Sequence, residues 1–400
     1  MKLLFVLPFL LLFLTACSVS APPVPDDIHH AEYDGINECG NETDDITGYE
    51  DEQDAESNYD NGNYKEQYYD CDIGEDTGYI LQLPELTPEI VANYFAIMEE
   101  IWNADGGEMW GIPLHAPLMF VCDYTEFAIA NRPGPNPDDF MRQYVGNVAV
   151  YVGTFSRQRF YSYVIFDDQE GVVYSWQWFF DVAYAQRRGD DRRTISGDKS
   201  GLLIIAHTGF HTFQRGIMGV KGASGFGETG REGDILFMLE LNALVHALSH
   251  TGDERLEAVH HALSIRHGRR QTSGLGFFEN CVQLGEGLVV YTEAHLVLNR
   301  YEIDFLIQSL PAIFMEIADI VATNGFGSTR RIAAAFGYDS GLLYGTLLDD
   351  FGVTWRPYVN RTTDLGAILM EALGITELIP IDEIDLEKYG YTEIAEKLRS

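Results

Sequence analysis

Two histidines, His207 and His211, lie four residues apart in the segment HTGFH. On an α-helix this spacing places both imidazoles on one face, one turn above the other. Two imidazoles in that arrangement can bind one tetrahedral metal ion such as zinc. The pair therefore predicts a metal site on a helix, and the alternative is two helix histidines that make only local hydrogen bonds.

Thr208 follows the first histidine. Hydrolytic H-E-x-x-H sites carry at this position the glutamate that removes a proton from the attacking water. A threonine hydroxyl cannot act as a base near neutral pH, and general-base assistance is worth roughly 10²- to 10⁴-fold in rate. We therefore expect a site that binds metal but is catalytically impaired, and we assign no catalytic residue.

The residues after position 196 show helical periodicity, whereas the preceding part contains short runs typical of strands. Predicted strands cover 117–122, 126–130, 147–152, 159–166 and 172–178, after a helix that starts at Thr87-Pro88. Predicted helices cover 201–215, 232–249, 253–268, 277–300, 303–324, 342–351 and 364–373. The pattern predicts an α+β fold, with a small N-terminal antiparallel β layer followed by a mostly helical part.

A second motif, Gly285-Glu286-Gly287, lies on the predicted helix 277–300 and is followed by Tyr291 and Glu293. With the histidine pair, it is similar to the site of the gluzincin (peptidase-MA-like) metallopeptidases, the broad group that includes aminopeptidase N. There H-E-x-x-H supplies two zinc ligands, and the glutamate of N-E-G-x-x-x-Y-x-E supplies the third. The resemblance implies zinc bound by His207, His211 and Glu286.

The resemblance is broader with a set of bacterial secreted proteins, and it spans roughly residues 86–375. The matching segments are Met109-Trp110-Gly111, residues 116–121, residues 207–214 and residues 338–345. The chain departs from the family at Thr208 and at Gly285, where asparagine is usual. Its gap of 75 residues between His211 and Glu286 is also longer than in many gluzincins.

Two further residues of the second motif are candidates to support the site. Glu293 would orient a histidine ring, or be a plain helix residue. Tyr291 would stabilise an oxyanion, or pack in the core. A competing pair, His246 and His250, has the same spacing but ends its helix without a carboxylate motif, so we interpret it as a capping feature that favours the helix dipole.

Near the N-terminus, Lys2 precedes an apolar run, Leu3 to Leu14, which leads into Leu14-Thr15-Ala16-Cys17. This segment resembles a bacterial lipoprotein lipobox, which implies lipid on Cys17 and membrane anchoring on the extracytoplasmic side of the cell envelope. An ordinary secretory signal is the alternative. Residues 26–76 hold 19 acidic residues and one lysine, which predicts a disordered, extended tether. The net charge of −36 argues against nucleic acid as a partner.

The remaining cysteines divide into two groups. Cys39 and Cys71 could pair in an oxidising compartment, whereas Cys122 and Cys281 are expected to be buried small apolar residues. The predicted parts are the signal peptide 1–17, the acidic tether 18–82, a helix plus β-rich part 83–196, a helical gluzincin-like part 197–375 and a C-terminal tail with a short helix 376–400.

The expected function is that of a lipid-anchored protein with a metallopeptidase-like domain that binds a peptide or protein without efficient hydrolysis. The main alternative is a working zinc metallohydrolase that uses another base, such as Glu232, Glu240 or Glu293. A second alternative is a structural or adhesive surface lipoprotein with no catalysis.

Overall fold

In the computed structural model of the protein, the helical segments that carry the predicted metal ligands pack against one another. The described residues are 88–121, 127–131, 141–145, 148–152, 162–166, 169–175, 197–218, 230–274, 276–324 and 330–399, and all of them belong to one compact unit. The predicted signal peptide 1–17 with Cys17, the predicted tether 18–82, the Cys39–Cys71 pair and Cys122 lie outside them.

The helical character of the chain after residue 196 is confirmed. The helices are α1 (Pro88–Asp105), α2 (Gly197–Met218), α3 (Gly230–Ser249), α4 (Gly252–Ser273), α5 (Gly276–Val282), α6 (Leu288–Val297), α7 (Arg300–Asn324), α8 (Arg330–Asp350), α9 (Leu365–Ala372) and α10 (Tyr391–Arg399). One π-helical turn, Gln283–Gly287, joins α5 to α6. In the C-terminal tail, α10 packs against α3 and α7 through the buried side chains of Ile394, Ala395 and Leu398.

The strands form a mixed sheet. They are β1 (Leu118–Val121), β2 (Phe127–Ala130), β3 (Met141–Val145), β4 (Val148–Val152), β5 (Ser162–Phe166) and β6 (Gln169–Ser175), in the order β3-β4-β2-β1-β6-β5. The β1–β6 pair is parallel, with Leu118 opposite Val172, and the other pairs are antiparallel. The prediction of an antiparallel layer is wrong for this one pair, whose strands run parallel. Parallel neighbours need a crossover connection rather than a hairpin. The prediction also missed β3.

Helix α1 packs under the histidine-bearing helix α2. Its buried face consists of Val91, Phe95, Met98 and Trp102, at helical spacing. The helix ends at Asp105, whose carboxylate accepts hydrogen bonds from the backbone N–H groups of Gly107 and Met109. A Cβ on Gly209 of α2 would lie 3.1 Å from Trp102 Cζ2, so glycine beside the histidines permits this close approach.

The Trp110 indole connects α2 to α6. Its Nε1 donates a hydrogen bond to Thr292 Oγ1 at 3.1 Å, and its ring lies 5.1 Å from the Phe210 ring, centroid to centroid. Phe210 immediately precedes His211 on α2, and Thr292 immediately precedes Glu293 on α6. This buried contact therefore sets the distance between the two helices that carry the candidate site.

Helix α8 packs backbone to backbone against the π-helical turn. A Cβ on Gly287 would lie 2.6 Å from the Gly337 carbonyl oxygen and 2.9 Å from Gly341 Cα. A Cβ on Gly341 would likewise overlap the Gly287 carbonyl carbon, so the contact requires glycine at both 287 and 341. The sequence prediction of a short helix at 342–351 was wrong, because it treated Gly337 and Gly341 as helix breaks.

A buried ionic network connects α4 to the helices around it. Arg269 Nη2 lies 2.6 Å from Glu240 Oε2, and both side chains are at most 1% exposed. Arg266 lies beside the same glutamate and donates to Gln283 Oε1 at 3.1 Å, at the start of the π-helical turn. Burial opposes ionisation of Asp364, but the charges of Arg266 and Arg270 hold its pKa well below its usual value. The network therefore fixes the segment that carries Glu286.

Helix α7 is the one helix among the described residues that is long and apolar enough to cross a membrane, over Arg300–Thr323. One of its faces packs in the core through Ile303, Ile307, Leu310 and Phe314. Length and composition alone do not distinguish a core helix of this kind from a membrane span.

Cys281 of α5 is buried, as expected, but it is disulfide-bonded rather than a free thiol. Its partner lies outside the described residues. The expectation that Cys281 is simply a small apolar residue is therefore corrected. The prediction failed because spacing in the sequence does not show which cysteines meet in the fold.

Candidate metal centre

The structure brings together all three predicted ligands. His207 and His211 lie on consecutive turns of α2, and Glu286 projects from the π-helical turn between α5 and α6. His207 is buried, whereas the side chains of His211 and Glu286 are 16% and 17% exposed. The group is therefore mostly shielded from bulk solvent, and two of its three side chains are partly exposed.

Three ligand atoms lie close enough to one another to share a metal ion. His207 Nε2 and His211 Nε2 are 3.2 Å apart, and Glu286 Oε2 lies 3.6 Å from His211 Nε2 and 4.0 Å from His207 Nε2. Tetrahedral ligands at about 2.0–2.1 Å from a metal are about 3.3 Å from one another. The two imidazole planes meet at 75°. This triad could hold a metal ion.

Glu293 orients the first histidine from the side opposite the ligand atoms. Its Oε2 accepts a hydrogen bond from His207 Nδ1 at 2.8 Å. Glu293 lies seven residues after Glu286, so both carboxylates lie on the face of their helix that is turned toward α2. The sequence left Glu293 either as a residue that orients a histidine ring or as a plain helix residue. In the structure it contacts the His207 ring.

Gln214 performs the same role for the second histidine. Its amide nitrogen donates to the carbonyl oxygens of Leu284 and Gly285, at 2.5 and 2.9 Å. Because these two acceptors fix the orientation of the amide, Gln214 Oε1 faces His211 and accepts from Nδ1 at 3.0 Å. The sequence analysis placed Gln214 at the end of the matching segment 207–214 but gave it no function. Its position three residues after His211, on the same helix face, could have indicated a contact with that ring.

These contacts determine the tautomers of both histidines. Each Nδ1 faces an acceptor and carries a proton, so each Nε2 of a neutral ring presents a lone pair toward the other and toward the Glu286 carboxylate. Two lone pairs and a carboxylate within 4.0 Å repel one another unless a cation lies between them. Hydrogen bonds from metal-binding histidines to carboxylate or amide acceptors are usual in metal sites.

The π-helical turn supplies Glu286 to this arrangement. A π turn leaves backbone carbonyls without their usual α-helical partners, and here the side chain of Gln214 occupies two of them. Such turns occur often at functional sites in helices. The glycines on either side of Glu286, Gly285 and Gly287, were the one indication in the sequence of an irregular turn. Periodicity predicted an uninterrupted α-helix over 277–300.

Thr208, in the position of the general base, is fully buried. Its Oγ1 has no hydrogen-bond partner among the described residues. Leaving a buried hydroxyl without a partner costs about 1–3 kcal/mol. A hydroxyl is not a base near neutral pH, and this one contacts no polar group of the candidate site among the described residues.

Tyr291 does not belong to the candidate site, which corrects one of the two interpretations from the sequence. Its hydroxyl donates to Asp349 Oδ2 at 2.5 Å and accepts from Arg356 Nε at 3.0 Å. Burial and the nearby Asp349 charge raise the pKa of Tyr291 well above its usual value. The ring packs edge-on against Trp110 and Trp355, so Tyr291 is a core residue.

The acidic residues considered as replacement bases are engaged elsewhere. Glu240 lies in the buried network with Arg266 and Arg269, and Glu232 pairs with Arg399 on the surface. Glu293 contacts the Nδ1 side of His207, which is the side away from the ligand atoms.

The competing pair His246 and His250 has a carboxylate partner that the sequence analysis did not predict. Glu254 Oε1 lies 3.1 Å from His246 Nε2. Burial, followed by the charge of His250, lowers the pKa of His246, which opposes the positive charge that a dipole-capping histidine needs. The capping interpretation is therefore incomplete for this pair.

Removal of either residue that holds Nδ1 should weaken metal binding. We expect Gln214→Ala and Glu293→Ala to reduce zinc affinity roughly 10- to 100-fold, because each ring loses its fixed orientation. Glu293→Gln retains an acceptor and should recover part of the loss. Competition with a chromogenic chelator measures the affinities.

Gln271→Ala is the matched control, because it removes another glutamine–histidine hydrogen bond, to His267, on an exposed face of α4. Its zinc affinity should equal that of the parent. Parental affinity in both Gln214→Ala and Glu293→Ala would show that the two contacts do not support the metal site.

A comparison of the chain with protein-family models, curated proteins and solved structures found no match.

Proposed function

We propose that this protein is a lipid-anchored, extracytoplasmic protein of the bacterial cell envelope that binds zinc through His207, His211 and Glu286. Its metallopeptidase-like domain would bind a peptide or protein with little or no hydrolysis. The observation that carries the proposal is the convergence of three ligand atoms within 4.0 Å, each imidazole held at Nδ1 by an acceptor.

Zinc is the ion that best fits this ligand set. Two neutral imidazoles and one carboxylate, with one tetrahedral position left for another ligand, are the arrangement typical of open zinc sites. Zinc bound there would polarise a carbonyl group and lower the pKa of water. The residues of the chain supply the ligands, their orientation and the partial exclusion of solvent.

Thr208 is the reason for proposing binding rather than hydrolysis. It is the residue after the first histidine, it is fully buried, and it has no acid–base chemistry near neutral pH. The acidic residues named above as replacement bases have partners in other directions. A bound peptide would therefore meet a Lewis acid without a proton acceptor beside it.

The cellular location rests on the N-terminal sequence and on one structural feature. The segment that ends at Cys17 resembles a lipobox, and the acidic residues that follow would act as a tether. The disulfide at Cys281 fits an oxidising compartment outside the cytoplasm.

Zinc stoichiometry tests the proposal. Full-length protein purified in detergent and dialysed against metal-free buffer should retain about one zinc per chain, measured by elemental mass spectrometry. His207→Ala and Glu286→Ala should each retain almost none. His267→Ala, a change at an exposed histidine of α4, is the matched control and should retain the parental amount.

Two outcomes would contradict this function. Absence of zinc from the parent after loading at neutral pH would leave a structural or adhesive role for the domain. Rapid, zinc-dependent cleavage of a peptide library by the parent would favour the alternative of a working hydrolase with another base.

A further inference from the structure

A second cluster of metal-binding side chains lies where α3 ends and α4 begins. His246, His250 and Glu254 follow one another at four-residue intervals, and their ligand atoms all lie within 4.8 Å of one another. Glu254 Oε1 is 3.1 Å from His246 Nε2 and 3.5 Å from His250 Nε2. Both distances are close to the separation of about 3.3 Å expected between ligands of one tetrahedral ion.

The backbone determines the tautomer of one of these histidines. His250 Nδ1 donates to the His246 carbonyl oxygen at 2.7 Å, and a carbonyl can only accept. His250 Nε2 therefore presents a lone pair to the Glu254 carboxylate when the ring is neutral. Two acceptors that face each other at 3.5 Å require a cation or a proton between them.

The end of α3 does not need these rings as positively charged caps. Arg255 Nε donates to the carbonyl oxygens of Ala247 and His250, at 3.0 and 2.8 Å. A permanent positive charge is thus already placed at this helix end. Capping does not account for the approach of Glu254, whose Oε1 lies within hydrogen-bond distance of His246 Nε2 at 3.1 Å, whereas a metal ion shared by the three side chains would.

We propose that His246, His250 and Glu254 form a second binding site for a divalent transition metal, one that joins the end of α3 to the first turn of α4. Two imidazoles and a carboxylate suit zinc and its neighbours rather than calcium or magnesium, which prefer oxygen ligands. The site is independent of the His207 centre because the two share no ligand.

The second site should bind zinc more weakly than the first. The His246 and His250 rings stack at 3.9 Å with an angle of 21°, so their in-plane lone pairs lie in two nearly parallel planes that do not meet at one ion. One ring must rotate before both nitrogens reach the same ion, and this rearrangement lowers affinity relative to a preorganised site. The side chains have room to move, since those of His246, His250 and Glu254 are 22%, 36% and 51% exposed.

Equilibrium dialysis of the full-length protein against a series of zinc concentrations tests this inference. The parent should bind a second equivalent with a Kd at least tenfold higher than the first. His246→Gln and Glu254→Gln should each lose that equivalent and keep the first. His207→Ala should lose the tight equivalent and keep the weak one, so failure of one site is distinguishable from failure of the other.

His267→Gln, at an exposed histidine of α4, is the control for general effects of a histidine change and should bind as the parent does. Glu254→Gln changes a side chain that is 51% exposed, so it is less disruptive to packing than a change in the core. Persistence of the weak equivalent in both His246→Gln and Glu254→Gln would overturn the proposal, because zinc would then be bound elsewhere on this acidic chain. Its absence from the parent would overturn it as well.

Discussion

Thr208→Glu is expected to raise peptide cleavage roughly 10²- to 10⁴-fold above the parent in the presence of zinc, because it supplies the general base that H-E-x-x-H sites use. Thr208 lies on α2 between the two candidate ligands, one residue after His207. The remaining parts, His211 and Glu286, already converge with His207. The change therefore restores the one group that the arrangement lacks.

The environment of Thr208 adds a second expectation. The side chain is fully buried, and a carboxylate buried without a partner is strongly unfavourable. Thr208→Glu should therefore be less stable than the parent without metal, and zinc should raise its Tm more than it raises that of the parent. Differential scanning calorimetry with and without zinc measures both shifts.

Thr208→Gln is the matched control, since it has the size and polarity of glutamate but is no base. We expect it to bind zinc and to cleave no faster than the parent. Two results would contradict the interpretation of Thr208 as the missing base. One is equal cleavage by Thr208→Glu and Thr208→Gln, and the other is a parent as active as Thr208→Glu.

Removal of Glu240 should be among the most destabilising single changes in the helical part. The Glu240 side chain is fully buried, accepts from Tyr344 at 2.9 Å and lies 2.6 Å from Arg269 Nη2. Its removal leaves Arg269 paired with Glu279 and Arg266 paired with Asp364, so both buried arginines lose one carboxylate partner. Breaking a buried ion pair by removing one partner typically costs about 3–5 kcal/mol. Urea denaturation of Glu240→Ala measures the change in the free energy of unfolding.

Glu232→Ala is the matched control, because Glu232 forms its ion pair with Arg399 on the exposed surface of the same helix. An exposed pair contributes roughly 0–1 kcal/mol, so this variant should unfold almost as the parent does. Glu240→Gln keeps the volume and the hydrogen bond with Tyr344 and should fall between the two. Equal unfolding free energies for Glu240→Ala and Glu232→Ala would show that the network contributes nothing to stability.

Local periodicity accounts for the successful predictions. The spacing of His207 and His211 follows from 3.6 residues per turn, and the same rule places Glu286 and Glu293 on one face of their helix. The absence of the general base was also predicted from the sequence, because it follows from the residue type at position 208. These inferences needed only that the segments be helical, which long apolar periodicity indicates well.

The errors arose where distant segments meet. The parallel β1–β6 pair, the passage of α8 through Gly337 and Gly341, and the location of Tyr291 among Asp349 and Arg356 depend on contacts between residues far apart in the chain. Periodicity describes each segment alone and carries no information on its neighbours. The prediction for Cys281 failed for the same reason, because whether two cysteines form a disulfide depends on their proximity in the fold.

The residue types and their spacing thus specify a histidine pair without its general base, on an amphipathic helix, because side-chain chemistry and helical geometry are local properties. The tertiary structure decides that Gln214 and Glu293 hold the two Nδ1 atoms, and that Glu254 lies against His246 and His250. Gln214 reaches the carbonyl of Leu284, 70 residues further along the chain, through a π-helical turn. Such contacts form only when packing brings the helices together, so no pattern along the sequence contains them.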